Sequence, residues 1–141
     1  MKPGSPAVCA CGGTHRSAPA TQAPRSHAQC CGRYIEGSPL QVAPDAESLM
    51  RSRYTAYVRE DAAYLRATWH ASRRPATLNF EPGCKWLGLE VRDHTVLDDS
   101  HAEVEFVARM RSASGQASRL HERSRFVRED GRWYYVDGEL R

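Results

Sequence analysis

Four of the five cysteines stand in two close pairs, Cys9-Ala10-Cys11 and Cys30-Cys31, and the fifth, Cys84, stands alone. Thiolates are the usual ligands of structural zinc, which takes four nitrogen or sulfur donors in a tetrahedron. Adjacent Cys30 and Cys31 can both reach one ion but do not easily bridge to each other. Gly12-Gly13 follows the first pair and Gly32 the second, which frees the backbone to wrap an ion. Residues 1–44 hold six of the eight prolines and little apolar periodicity, so without a cross-link this segment is mostly loop. Such a segment gains most from a metal, because binding free energy becomes folding free energy. The expected cofactor is one structural Zn²⁺ per chain. The alternatives are free, reduced thiols on a tail, or His15 or His27 standing in for one cysteine. Cys84, beside Gly83 and Lys85, has no histidine fixed near it by local sequence and reads as an ordinary cysteine.

The second set of reactive groups lies far downstream, and its use depends on the elements that carry it. Pro44-Asp45 ahead of Ala46-Glu47-Ser48-Leu49-Met50 reads as a helix start with an acidic first turn, and Leu49, Met50, Tyr54, Tyr57 and Val58 repeat at helical spacing to about Arg59. Asp61 caps a second short helix that carries Tyr64, Leu65 and Trp69. Arg73 to Gly83 is irregular. From Lys85 the period becomes two: Leu87, Leu89 and Val91 on one face, then Ala102 to Met110, then Leu120 to Phe126, then Trp133, Tyr135 and Asp137. Glu129-Asp130-Gly131 marks a tight hairpin. These patterns predict an α+β domain over residues 45–141, helices first and then a four-stranded antiparallel meander, preceded by a small cysteine knuckle and linker over residues 1–44.

On that reading Glu122 and Ser124 share a face with Leu120 and Phe126, and Asp137 shares one with Trp133 and Tyr135. If those faces form the core, the two carboxylates need partners, and Arg51, Arg53 and His70 are the candidates. A buried carboxylate near a histidine can be an acid–base pair. The favoured alternative is a structural ion pair that orients the helix on the sheet. Tyr54, Tyr57, Trp69, Trp133 and Tyr135 read as core. There is no phosphate-binding glycine loop, nucleophile elbow or dinucleotide fingerprint.

Bulk properties narrow the classes. Residues 1–44 carry Lys2, Arg16, Arg25 and Arg33 against Glu36, while residues 45–141 carry 16 basic and 16 acidic residues, so the main domain is no basic nucleic-acid footprint. No stretch approaches the ~20 apolar residues of a membrane span. Met1 to Val8 lacks the apolar run of a secretory signal, so the cytoplasm, where thiols stay reduced, is the expected compartment. The expected outward faces carry Glu103, Glu105, Arg109, Arg123 and Arg125, which favours a monomer or weak homodimer over an obligate interface.

Cys9-Ala10-Cys11-Gly12 followed by Cys30-Cys31-Gly32 resembles the SEC-C motif, the zinc knuckle at the C-terminus of the SecA translocation motor and in many bacterial proteins. The resemblance implies ligands at Cys9, Cys11, Cys30 and Cys31. Two departures stand out: Gly13 occupies the usual serine position, and eighteen residues instead of about eight separate the pairs. Looping out the extra residues costs under ~1–2 kcal/mol, small beside the ~10 kcal/mol or more of a structural zinc site.

The blocks Leu49-Met50-Arg51-Ser52-Arg53-Tyr54-Thr55-Ala56-Tyr57, Thr68-Trp69-His70, Trp86-Leu87-Gly88-Leu89, Phe106-Val107-Ala108-Arg109, His121 to Phe126 and Trp133 to Gly138 are similar, in order, to those of the YchJ-type bacterial family. That similarity implies a nuclear-transport-factor-2-like (cystatin-like) cone of curved sheet around helices, joined to a SEC-C knuckle. The leading functional expectation is a protein-interaction or adaptor module that meets an unknown protein partner through the zinc knuckle. A small-molecule site or enzyme in the cone, using Arg53, His70, Glu122 and Asp137, is the second. Nucleic-acid binding through the basic knuckle is the third and least favoured.

Overall fold

The computed structural model describes residues 7–37 and 41–141. Met1 to Pro6 and residues 38–40, which hold part of the expected linker, lie outside the described residues. Among the described residues three helices, α1 (Gly32–Ile35), α2 (Ala46–Val58) and α3 (Ala62–Ala67), precede four strands, β1 (Lys85–Asp98), β2 (His101–Arg111), β3 (Ala117–Glu129) and β4 (Arg132–Leu140). The strands form one antiparallel sheet in the order β1-β2-β3-β4. This is the expected α+β meander, with each strand longer than its clearest alternating stretch.

Both helix starts are capped where the sequence places them. The Asp45 carboxylate accepts the Ser48 N–H at 2.7 Å and the Asp61 carboxylate accepts the Tyr64 N–H at 3.0 Å. Asp130 and Gly131 both take positive φ, 51° and 76°, so Glu129 and Arg132 pair across a two-residue turn. That geometry matches the right-handed twist of the flanking strands. The free edge of β4 is covered by the chain leaving α3: Tyr135 donates to Thr68 O at 2.9 Å and accepts from the His70 N–H at 2.7 Å.

Three bulges along β1 curve the sheet and change which residues face inward. The shift between Trp86 and Gly88 sends Trp86 and Leu89 to the core side, and Leu87, expected inside, is 50% exposed. The shift between Val91 and Asp93 sets His94 opposite Val104, a fully buried core residue. A fourth bulge, on β4, pairs Phe126 with Tyr135 but Arg125 with Asp137, so Val136 is the extra residue. Asp137 therefore lies on the outer face, not beside Tyr135 on the inner one.

The core is one continuous cluster. It runs from Cys9, Cys11, Cys30 and Cys31 through Tyr34, Leu49, Met50 and Tyr54 to Val91, Val104, Phe106 and Phe126. On the convex face Arg123 bridges Glu103 (2.6 Å), Asp93 (2.9 Å) and Glu105 (3.3 Å), an ion-pair network over the buried Val107. Among the described residues no helix is long and apolar enough to cross a membrane.

Candidate functional site

The N-terminal segment folds back on itself before it meets α2. Val8 and Ser26 form a bridge, Cys9 N–H donates to Arg25 O and Arg25 N–H donates to Gly13 O, both at 2.9 Å. Gly13 has φ 72°, and a Cβ there would meet the Arg25 backbone at 2.5 Å, so this close approach excludes the serine of the usual motif. The turn Ser26 to Cys31 then leads into α1. These two turns bring the four cysteines together. One sulfur from each lies within 4.8 Å of all the others, and all four residues are buried. The eighteen-residue spacing is thus accommodated as an outer loop. Neither histidine enters the cluster: His27 Nε2 is 2.5 Å from Glu36 Oε1, and His15 faces Asp45 and Glu47.

The cluster is shaped for a metal ion. Cys11 and Cys30 sulfurs are 3.6 Å apart. The edge of a tetrahedron with metal–sulfur bonds of about 2.3 Å is about 3.8 Å. Crowding makes the free thiols share protons. Hydrogen bonding from Cys11 holds Cys9 and Cys30 below the ordinary thiol range. Hydrogen bonding pushes Cys11 (through Cys30) and Cys31 (through Cys11) above it. All four become thiolates only when a cation replaces the shared protons. Arg51, on α2, donates to Cys11 O at 3.0 Å and brings positive charge to the cluster's edge. Four close cysteines can hold one metal ion.

On another side of α2 the cone encloses a cavity of about 220 Å³, lined by Met50, Tyr54, Tyr57, Trp86, Phe106 and Phe126 with two charged groups, Arg53 and Glu122. Arg53 is 5% exposed. Its Nη1 donates to Leu65 O (2.8 Å) and Thr68 Oγ1 (2.7 Å), and the guanidinium lies 4.9 Å from the Trp69 ring centre and 4.6 Å from that of Tyr135. Burial lowers its pKa. Glu122 Oε2 accepts from Ser124 Oγ (2.5 Å) and Tyr135 OH (3.2 Å). Gly138 makes room for this carboxylate, since a Cβ there would overlap it.

The four expected pocket residues divide in two. Arg53 and Glu122 line the cavity. His70 does not: its Nε2 meets Glu129 at 2.8 Å and its Nδ1 meets Ser72 at 2.7 Å, outside the cone. Asp137 pairs with Arg125 at 2.6 Å on the outer face, where the β4 bulge puts it. Arg51 also turns away, to Glu47 at 2.9 Å. The histidine–carboxylate pair expected across the cavity is therefore not assembled.

One cluster escaped the sequence reading. Glu47 is fully buried in the first turn of α2, and its Oε1 lies 3.6 Å from His15 Nε2 and 3.8 Å from His94 Nδ1. Glu47 reads in sequence as an ordinary acidic residue of a helix start, and nothing in its type or spacing announces two histidines 32 positions before it and 47 after it.

A curved meander closed on α2, with four cysteines gathered at its N-terminal end, defines an α+β protein of the nuclear-transport-factor-2-like class bearing a SEC-C-like knuckle. Residues 45–138 match the family model described as YchJ, middle NTF2-like domain, and the chain belongs to that family. Its relatives include a UPF0225 protein of Polaromonas naphthalenivorans, 61% identical over 93% of this chain and 96% of that one. Another, from Bordetella parapertussis, is 52% identical over 99% and 97%. Among solved structures, a SEC-C motif-containing protein of Rhodopseudomonas palustris superposes with a TM-score of 0.75 at 31% identity, covering 94% of this chain and 98% of that one. A SEC-C motif-containing protein of Psychrobacter arcticus gives 0.73 at 30%, covering 95% and 82%.

Proposed function

We propose that this protein is a zinc-fastened binding module. One Zn²⁺ held by Cys9, Cys11, Cys30 and Cys31 fixes the N-terminal segment on α2, and the cone cavity takes a small, largely apolar molecule with one anionic or polar group. Zinc follows from the donor set, since four thiolates in a closed, buried site are its usual structural ligands and leave no position open for catalysis. Thiolates of this kind need a reducing compartment, the cytoplasm.

The observation that carries the ligand reading is Arg53. Among the described residues it has no carboxylate within ion-pair distance, yet it is buried at the wall of an otherwise aromatic cavity. A buried guanidinium without an anion is costly, and a ligand carboxylate or phosphate would supply the missing charge in bidentate geometry. The cavity volume suits a fragment-sized ligand. An adaptor role is a second reading, favoured by the exposed stretch of the knuckle around Arg16, Ser17 and Pro19 to Thr21, which leaves a surface for a protein partner while the cysteines stay buried.

The test begins with metal analysis of the untagged chain and of Cys31→Ser. Cys31→Ser is expected to lose the zinc that the wild type retains in the sulfur cluster. Thermal-shift measurement with small aromatic and aliphatic carboxylates follows, on wild type and Arg53→Met. A carboxylate that stabilises the wild type and not the variant supports the ligand reading. A wild type without zinc, or equal responses in both chains, rejects the corresponding half.

A further inference from the structure

We propose that His15, Glu47 and His94 form a second metal site, separate from the sulfur cluster, that takes a divalent transition-metal cation and keeps one coordination position open to solvent. Glu47 carries the argument. Its Oε2 is saturated, accepting from Arg51 Nε and from the Arg16 N–H, both at 2.9 Å. Its Oε1 is buried and has no hydrogen-bond partner among the described residues. A desolvated carboxylate oxygen without a donor is rare in a folded protein. What faces it is a pair of imidazoles, and one donor atom from each of the three residues lies within 4.8 Å of the other two. His94 Nε2 is likewise buried and has no partner among the described residues, so no hydrogen bond through that nitrogen fixes the ring.

The spacing fits an ion. Nitrogen and oxygen ligands at about 2.1 Å from a tetrahedral metal sit about 3.4 Å apart. The observed 3.6 Å and 3.8 Å separations from Glu47 Oε1 close to that value with side-chain shifts of a few tenths of an ångström. Two imidazoles and one carboxylate suit zinc, nickel, cobalt or copper better than magnesium or calcium. With three protein ligands, the fourth position opens toward a surface hollow lined by His15, Arg16, Ser17, Glu47 and His94. Asp45 Oδ2, 3.1 Å from His15 Nε2, adds negative charge beside the ion.

In the metal-free chain the Ser17 N–H donates to His15 Nδ1 at 3.1 Å, which leaves the ring proton on Nε2, facing Asp45. A metal on Nε2 takes the place of that proton; with Nδ1 then protonated, the Ser17 N–H gives up its bond and Ser17 Oγ, 2.8 Å away, accepts instead. The ring nitrogen opposite the metal then has the hydrogen-bond acceptor that metal-bound histidines usually keep. Without a metal, the same groups are a local hydrogen-bonded cluster in which His15 Nε2 meets Asp45 beside Glu47, and that is the competing account.

Cobalt separates the two accounts and the two sites. The untagged chain, reconstituted with Co²⁺, is expected to bind two ions: one with intense thiolate-to-metal charge-transfer bands, the other with weak ligand-field bands alone. Cys31→Ser should remove the first set and weaken the second, because His15 lies on the segment that the sulfur cluster fastens. His94→Ala should keep the first set and remove the second, raising the Kd of the second ion at least ~100-fold. His15→Ala, on the outer loop, should repeat that loss if His94→Ala fails to fold. A wild type that binds cobalt only with charge-transfer bands overturns the proposal, as does a second ion that survives both histidine variants.

Discussion

Replacing Arg53 with Met removes a buried charge while keeping most of the side-chain volume, and the structure gives the terms. Two hydrogen bonds from a charged donor are lost, to Leu65 O and Thr68 Oγ1, at about 1.5–3 kcal/mol each. Two ring contacts, with Trp69 and Tyr135, go with them, at about 1–2 kcal/mol each. Against this, the variant is spared the desolvation of a guanidinium, which is several kcal/mol. The net expectation is a loss of about 2–4 kcal/mol, or a fall in Tm of about 10 °C for a chain of this size. Urea unfolding of metal-loaded protein measures it directly, as a lower midpoint at unchanged slope. Glu122→Gln in the same background should cost less than it does alone, by about 0.5–3 kcal/mol, because both charges act in one cavity. A loss below about 1 kcal/mol for Arg53→Met, or strict additivity of the two changes, would mean that the guanidinium neither clamps α2 to β4 nor answers Glu122.

Two other expectations test the register. Asp137 is held below the ordinary carboxylate range by the hydrogen bond from Arg125. A depressed carboxylate contributes stability above its unfolded pKa of about 3.9 and loses it as pH falls through the folded value. Asp137→Asn should therefore flatten the acid limb of the stability curve, by no more than about 1 kcal/mol for so exposed a pair, and leave ligand binding in the cone untouched; an effect on the cavity instead would return Asp137 to the inner face. Gly138→Ala should destabilise by about 1–3 kcal/mol, since its Cβ meets the Glu122 carboxylate, and Glu122→Ala in the same chain should recover part of that loss.

Caps, turns and strand periods were legible because each rests on local chemistry. Asp45, Asp61 and the Asp130-Gly131 turn act within a few residues of themselves. The bulges were not legible. Trp86 and Leu87 are both apolar, as are Tyr135 and Val136, so an extra residue between them leaves the hydropathy pattern intact while it reverses every side chain beyond. That is why the sequence pattern puts Asp137 inside; His94 is set toward the core by the separate shift at Arg92, which the pattern does not announce either. The sulfur cluster was readable from residue type alone. The Glu47 cluster was not, because it exists only after the loop between the cysteine pairs folds across the start of α2.

Helix α2 explains why the two sites coexist. An ordinary surface helix buries one apolar stripe, but ten of the thirteen residues here are buried. Glu47, Arg51 and Thr55, four apart, form one stripe, and they meet the Arg16 N–H, Cys11 O and Cys9 Sγ. Met50, Arg53, Tyr54 and Tyr57 form a second stripe, about 110° round the helix, and line the cavity. The stripe covered by the N-terminal segment is thus polar, while the stripe covered by the sheet is mainly aromatic. When Cys31→Ser frees the segment, water gains access mostly to groups that it can solvate, and the apolar face stays closed on the sheet. The variant should therefore lose its metal and its N-terminal order while the α+β domain keeps a cooperative unfolding transition. A collapse of that transition would show that the sulfur cluster is part of the domain's folding nucleus instead of a clasp laid over it.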